Sequence, residues 1–319
     1  MTSLKKTTVI FLFSIFSIQR TWAEPQLTKP KTTKTKEQYQ VYPWQKSALS
    51  LYQVKQQRFL IDGSGLFESG SLKSSAAQDS DKIENAGGTL SAEYGMTDLF
   101  ALRIQFGYIS GTEKNSTSST KLEGVQDASA AVKFCYPVNE FHIFAELGAE
   151  TSLEALKVDN VAKTRTAASG GTKAVGKLGV SLGHENYVFG GWAKYKYFLN
   201  REMELTSSIG TENLTVDGGH QLGLGGFFEY GTGLRTGVDI DWSLHNKATI
   251  NSVNIPSLSD FELDYQFVNL GAYLKIPAGE KLLTYIKGSY GFNPNKKRAT
   301  QSYEQDDLFQ GQVGVQAYF

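Results

Sequence analysis

The feature that most constrains the fold is an alternation of apolar and polar side chains, which begins near residue 57 and recurs to the end of the chain. In "LFALRIQFGYIS" (99–110), Phe100, Leu102, Ile104, Phe106 and Tyr108 share one face, and Ala101, Arg103, Gln105 and Gly107 the other. Near 140, Phe141, Ile143, Ala145, Leu147 and Ala149 alternate with His142, Phe144, Glu146, Gly148 and Glu150. Near 233, Leu234, Val238, Ile240, Trp242 and Leu244 oppose Arg235, Gly237, Asp239, Asp241 and Ser243. A period of two belongs to an extended strand whose faces meet different surroundings. Segments of this kind start near 57, 88, 99, 127, 140, 172, 186, 219, 233, 262, 281 and 308.

A soluble sandwich would alternate too, so the gaps decide. Short turns at 95–98, 137–140, 183–186, 230–233 and 277–280 alternate with long polar stretches near 70–86, 110–126, 153–170, 201–217, 246–261 and 293–307. All the long stretches therefore fall at one end of the sheet. An even strand number with short turns at one end and long loops at the other is the layout of a bacterial outer-membrane barrel. The predicted fold is all-β: a transmembrane antiparallel up-and-down β-barrel of about 12 strands. In hydrocarbon every backbone polar group needs a partner, and a closed barrel leaves no open edge. Tyr94, Tyr108, Tyr136, Tyr187, Tyr195, Tyr197, Tyr230, Trp242 and Tyr290 sit on the apolar register, mostly toward strand ends, as an aromatic girdle would. One segment breaks the alternation: in 262–276, Tyr265 and Phe267 share a register while Leu270, Ala272 and Leu274 fall on the other, and a bulge near Phe267–Val268 would reconcile them.

The termini fit this reading. Residues 1–23 read as a secretory signal peptide, with Lys5 and Lys6 ahead of a short apolar run and Ala23 at the cleavage position. The polar, lysine-rich stretch 24–56 reads as a periplasmic arm, and 57–319 as the barrel. A single cysteine, Cys135, leaves no internal disulfide to hold an exported chain. Equal numbers of basic and acidic residues, 32 each, give no sign of a nucleic-acid partner. The chain ends on "GQVGVQAYF", in which Val313, Val315, Ala317 and Phe319 form the apolar register.

The polar registers name the interior: Arg103, Lys133, Glu146, Lys173, Lys177, Lys194, Lys196, Arg235, Asp239 and Asp241 are the expected lumen-lining residues, with Arg58 also placed inside. Strand pairing through the turn at 183–186 should set Lys177 level with Lys194. Such a lining either selects small solutes or is a salt-bridged filling that plugs a narrow barrel. The expected function is an outer-membrane channel or passive transporter for small solutes. The alternatives are a plugged structural or adhesive barrel acting through its loops, and a surface lipid-modifying enzyme. The enzymatic alternative lacks a constellation: His142, His184, His220 and His245 are scattered, and Ser243 shares a lumenal face with His245, away from lipid. No catalytic residue, metal or cofactor is expected; the expected partners are outer-membrane lipid, the assembly machinery and an unspecified small solute.

"EYGMTDLFALRIQFGY" (93–108) is similar to the strand–turn–strand unit of outer-membrane channels. "GVQDASAAVKFCYPV" (124–138) resembles the Gly-x-x-Asp strand opening of barrels from aromatic-degradation pathways, distant relatives of long-chain fatty-acid transporters, with Gln126 where those barrels carry glycine. That resemblance implies uptake of small, hydrophobic compounds and assigns no ligand residue. The terminal nonapeptide resembles the C-terminal signature read by the outer-membrane assembly machinery.

Overall fold

The computed structural model describes residues 54–74, 80–114, 118–138, 140–184, 186–246, 249–251, 265–294 and 303–319. The expected signal peptide and the expected arm up to residue 53 lie outside them. Twelve strands form the barrel: β1 (Phe59–Ser74), β2 (Ser80–Gly95), β3 (Phe100–Lys114), β4 (Ala128–Val138), β5 (Phe141–Thr151), β6 (Thr172–Gly183), β7 (Tyr187–Phe198), β8 (His220–Tyr230), β9 (Arg235–Asn246), β10 (Tyr265–Pro277), β11 (Leu282–Phe292) and β12 (Tyr303–Tyr318). Each pairs antiparallel with its chain neighbour. β12 pairs with β1 (Leu60 opposite Tyr318, Ile61 opposite Ala317), which closes the ring. The closure ends on two hydrogen bonds: Phe59 N–H donates to the Phe319 carbonyl at 3.0 Å, and Phe319 N–H to the Phe59 carbonyl at 2.9 Å.

The alternation sorts the side chains. Leu102, Ile104, Phe106, Leu147, Leu178, Val238, Ile240, Val313 and Val315 stand exposed on the outer surface. In water so much exposed apolar surface would drive aggregation; in a bilayer it is the solvated face. Aromatic rings ring its two ends. At the turn end, Phe59 lies 4.6 Å from Tyr94 and Phe100 5.1 Å from Phe134; at the loop end, Tyr195 lies 5.9 Å from His220 and Tyr290 6.1 Å from Phe292. Tyr187 and Tyr197 mark both girdles on β7. The ten-residue step between them, at about 3.3 Å per residue and a tilt of about 40°, spans roughly 25 Å, the height of an outer-membrane apolar band.

Three expectations need correction. β2 and β12 begin at Ser80 and Tyr303, earlier than 88 and 308. The long polar stretches also carry strands. Ser119–Val125 pairs with β3 and, in parallel, with Thr164–Thr166; Leu156–Asp159 pairs in parallel with Arg201–Ser207; and Arg201–Ser207 pairs with Gly210–Asp217. Beyond the lipid both faces of these strands are wet, so no alternation marks them. Second, β10 has no bulge: its register against β9 and β11 is unbroken from Val268 to Lys275. Phe267 instead turns inward and lies over Gly291. Third, Arg58 is exposed and precedes β1.

Five of the inward aromatics share one arrangement. Phe144 lies flat on Gly179, Trp192 on Gly225, Phe227 on Gly190, Tyr273 on Gly237 and Tyr285 on Gly314, and a Cβ on any of these glycines would collide with the ring. In every case the ring and the glycine are direct cross-strand partners. A ring laid along the wall covers the neighbouring strand without crossing the bore, and only a missing side chain leaves room for it.

Candidate functional site

The interior has two levels. At the turn end the charges are paired in place. Glu229 on β8 accepts from Arg235 Nε on β9, from Lys275 Nζ on β10 at 2.7 Å and from the Tyr273 hydroxyl at 2.9 Å. Glu229, Arg235 and Lys275 are all 0% exposed. Such a cluster is tolerable in low dielectric only because each ion finds a counter-charge and hydrogen bonds. Nearby, Lys133 on β4 pairs with Glu93 on β2 at 2.7 Å. Val54, fully buried, packs on Leu60, Leu283 and Tyr318, and its N–H reaches Glu93 Oε1 at 3.4 Å. The end of the segment leading into β1 is thus tucked inside the ring.

Above this floor lies a cavity of about 560 Å³, bordered by β3 to β7 and β9. Its lining includes Arg103, Lys173, Lys177 and Lys194, with Asp127, Glu146, Glu150 and Asp241. Lys177 and Lys194 are direct partners across β6 and β7, as the turn at 183–186 required. Like charges directly opposite one another on a sheet repel. The Lys177 ammonium lies 4.7 Å from the centre of the Trp192 ring and 5.7 Å from that of Phe144, and the electron-rich ring faces relieve part of the repulsion.

The sequence-expected residues therefore separate. Arg103, Glu146, Lys173, Lys177, Lys194 and Asp241 border the cavity. Lys196 is not part of its lining and is held by Glu150 at 2.8 Å. Asp239 pairs with Lys287 at 2.6 Å. Lys133 and Arg235 belong to the floor. Val313, Val315 and Phe319 are exposed on the outer face and Ala317 shares their register.

Residues that sequence reasoning did not single out include Glu229, Lys275 and Trp192, which declare themselves only through cross-strand register. Asp127 had a signal, the Gly-x-x-Asp opening. It precedes β4 and gathers the loop end: Ser169 donates from both N–H (2.9 Å) and hydroxyl, Ser152 donates at 2.7 Å and Lys173 at 2.6 Å. Burial opposes its ionised form, but the hydrogen bonds from Lys173, Ser169 and Ser152 outweigh that and hold the carboxyl down at about 2. Gly124, three residues earlier, has φ +144°, where a side chain would be strained. Ser243 Oγ and His245 Nε2 are 3.3 Å apart on the inward register of β9. His220 faces outward beside Tyr195 on the neighbouring strand, the two rings tilted by 38°. Cys135 is buried against Phe144, Val188 and Phe227.

No protein-family profile and no curated protein sequence matches this chain. Solved structures do. An outer-membrane channel from Pseudomonas putida F1 superposes with a TM-score of 0.60 at 13% identity, covering 86% of this chain and 100% of that one. The transport unit of the autotransporter AIDA-I from Escherichia coli gives 0.55 at 12% identity, covering 85% and 93%. A mutant of the monoaromatic hydrocarbon channel TodX gives 0.44 at 10% identity, covering 82% and 89%, a similarity too low to bear on the solute. At these identities the likeness is one of fold. With its closed ring, apolar outer face and paired aromatic girdles, the chain is a bacterial outer-membrane β-barrel.

Proposed function

We propose that this barrel is a passive channel for small polar or charged solutes. The observation that carries the reading is the contrast inside the ring. A purely structural filling would pair each of its charges, as the Glu229 cluster does by setting one carboxylate between two cations. The cavity above it keeps open volume and sets Lys177 beside Lys194. Purified protein in planar bilayers is expected to give discrete conductance steps, and Lys177→Glu combined with Lys194→Glu should shift the current toward cation selectivity. No conductance at any voltage would overturn the proposal.

A plugged structural barrel acting through its extracellular hairpins is the second reading. It is favoured by the packed floor, where Val54, Leu60 and Leu283 close on Tyr318. Under that reading, trimming 201–217 abolishes surface binding and leaves the barrel stable. We propose further that the outward register of β12, Val313, Val315, Ala317 and Phe319, is the strand the assembly machinery recognises.

A further inference from the structure

The interior charges can be divided into spent and unspent. Lys133, Lys173, Lys196, Arg235, Lys275 and Lys287 each have a carboxylate within salt-bridge distance. Arg103, Lys177 and Lys194 form no ion pair within 4.0 Å among the described residues, and all three line the one cavity. Of the carboxylates lining that cavity, Asp127 and Glu150 are spent on Lys173 and Lys196. Glu146 and Asp241 form no ion pair within 4.0 Å among the described residues, although Glu146 stands opposite Lys177 in register and Trp192 donates a hydrogen bond to Asp241. The unspent charge is therefore three cations less two carboxylates, a net +1. Cations withdrawn from bulk water are stabilised by an anion that meets them, and acceptor-only carboxylates want donors. The rest of the lining offers further polar groups in Gln105, Gln126, Ser129 and Ser169, while Trp192 already has Gly225 against one face and the Lys177 ammonium over its ring. The apolar part of the lining, Ala130, Ala131, Ala149, Ala167 and Val175 beside Trp192, consists mostly of small side chains and offers little wall for a large hydrophobic body.

We infer that this cavity is a binding site for a small, singly charged hydroxy-carboxylate, whose carboxylate meets Lys177, Lys194 and Arg103 and whose hydroxyls donate to Glu146 and Asp241. The volume is in the range that holds small molecules. The inference rests on the channel reading for its purpose but not for its test. Isothermal titration calorimetry of the full chain in detergent micelles would use gluconate as probe, with acetate (charge without hydroxyls), sorbitol (hydroxyls without charge) and serine (a zwitterion) as comparisons. Gluconate is expected to bind at least about tenfold more tightly than each comparison, one such factor being the worth of a single charge-assisted hydrogen bond. Lys177→Gln with Lys194→Gln should weaken gluconate at least about tenfold. Glu146→Gln with Asp241→Asn should weaken gluconate and leave acetate unchanged. Circular dichroism confirms folding of each variant, and the single Lys194→Gln serves if a double variant does not fold. Gluconate binding no tighter than acetate, serine binding tightest, or indifference to the lysine changes would each overturn the site. A barrel that conducts without binding gluconate refutes this inference alone; one that binds gluconate without conducting refutes the channel alone.

Discussion

Glu229→Gln tests the electrostatics of the floor. The substitution keeps the shape and removes the one carboxylate shared by Arg235 and Lys275, both 0% exposed. Two buried cations then lose the carboxylate set between them. Breaking a buried ion pair by removing one partner typically costs about 3–5 kcal/mol. The exposed pair Lys114–Glu84, with side chains 53% and 58% exposed, supplies the comparison. Glu84→Gln should cost under about 1 kcal/mol, because water screens that pair. A further variant separates charge from packing. Lys275→Met leaves the Glu229–Arg235 pair intact and should cost less than Glu229→Gln. The assay is urea titration in detergent or liposomes, followed by tryptophan fluorescence, with midpoints compared at a common slope. A cost below about 1 kcal/mol for Glu229→Gln, or a larger one for Lys275→Met, would refute the reasoning that this carboxylate holds the floor together.

Other predictions follow from the same structure. Gly237→Val should destabilise the barrel by about 1–3 kcal/mol, measured by the same titration, because the new side chain displaces the Tyr273 ring and its hydrogen bond to Glu229. Deleting Phe319 should reduce the amount of barrel in the outer membrane of cells far more than it reduces refolding yield in detergent; equal losses in both would assign the residue to stability. Asp127 has a depressed pKa, so its hold on Ser152, Ser169 and Lys173 is in place above the ordinary carboxylate range and lost as pH falls through about 2. Pepsin should accordingly cut within 152–171 more readily at pH 2 than at pH 4 in the wild type. Asp127→Asn should remove most of that difference.

What the sequence revealed and what it hid have physical causes. Lipid imposes alternation on the membrane-facing part of each strand, so Leu102, Ile104 and Phe106 announced β3 without help. Past the outer girdle water wets both faces. Leu156–Asp159 and Arg201–Ser207 therefore carry no periodic mark, though they pair in parallel. The interior was legible as a set of residues but not as a set of pairs. Lys133 and Lys177 look alike on paper. Only the fold sets Glu93 against one and leaves the other over Trp192. Phe267 misled because an apolar side chain on a barrel strand was assigned to lipid, whereas a glycine on the next strand gave its ring a place inside.

The rings laid on glycines have a consequence for how the chain finds its pairing. A slip of one residue between neighbouring strands turns every side chain to the wrong face, and the bilayer itself resists that. A slip of two restores the alternation, so lipid cannot sense it. The rings can. Shifted by two, Phe144 would fall on Lys177 or Ser181 instead of Gly179, Tyr273 on Arg235 or Asp239 instead of Gly237, and Tyr285 on Gln312 or Gln316 instead of Gly314. Each misplacement sets an aromatic against a side chain where the native partner has none. The flat rings thus act as a proofreading key for the one class of error that hydrophobicity leaves undetected, and the two members of each pair are expected to change together as the sequence drifts.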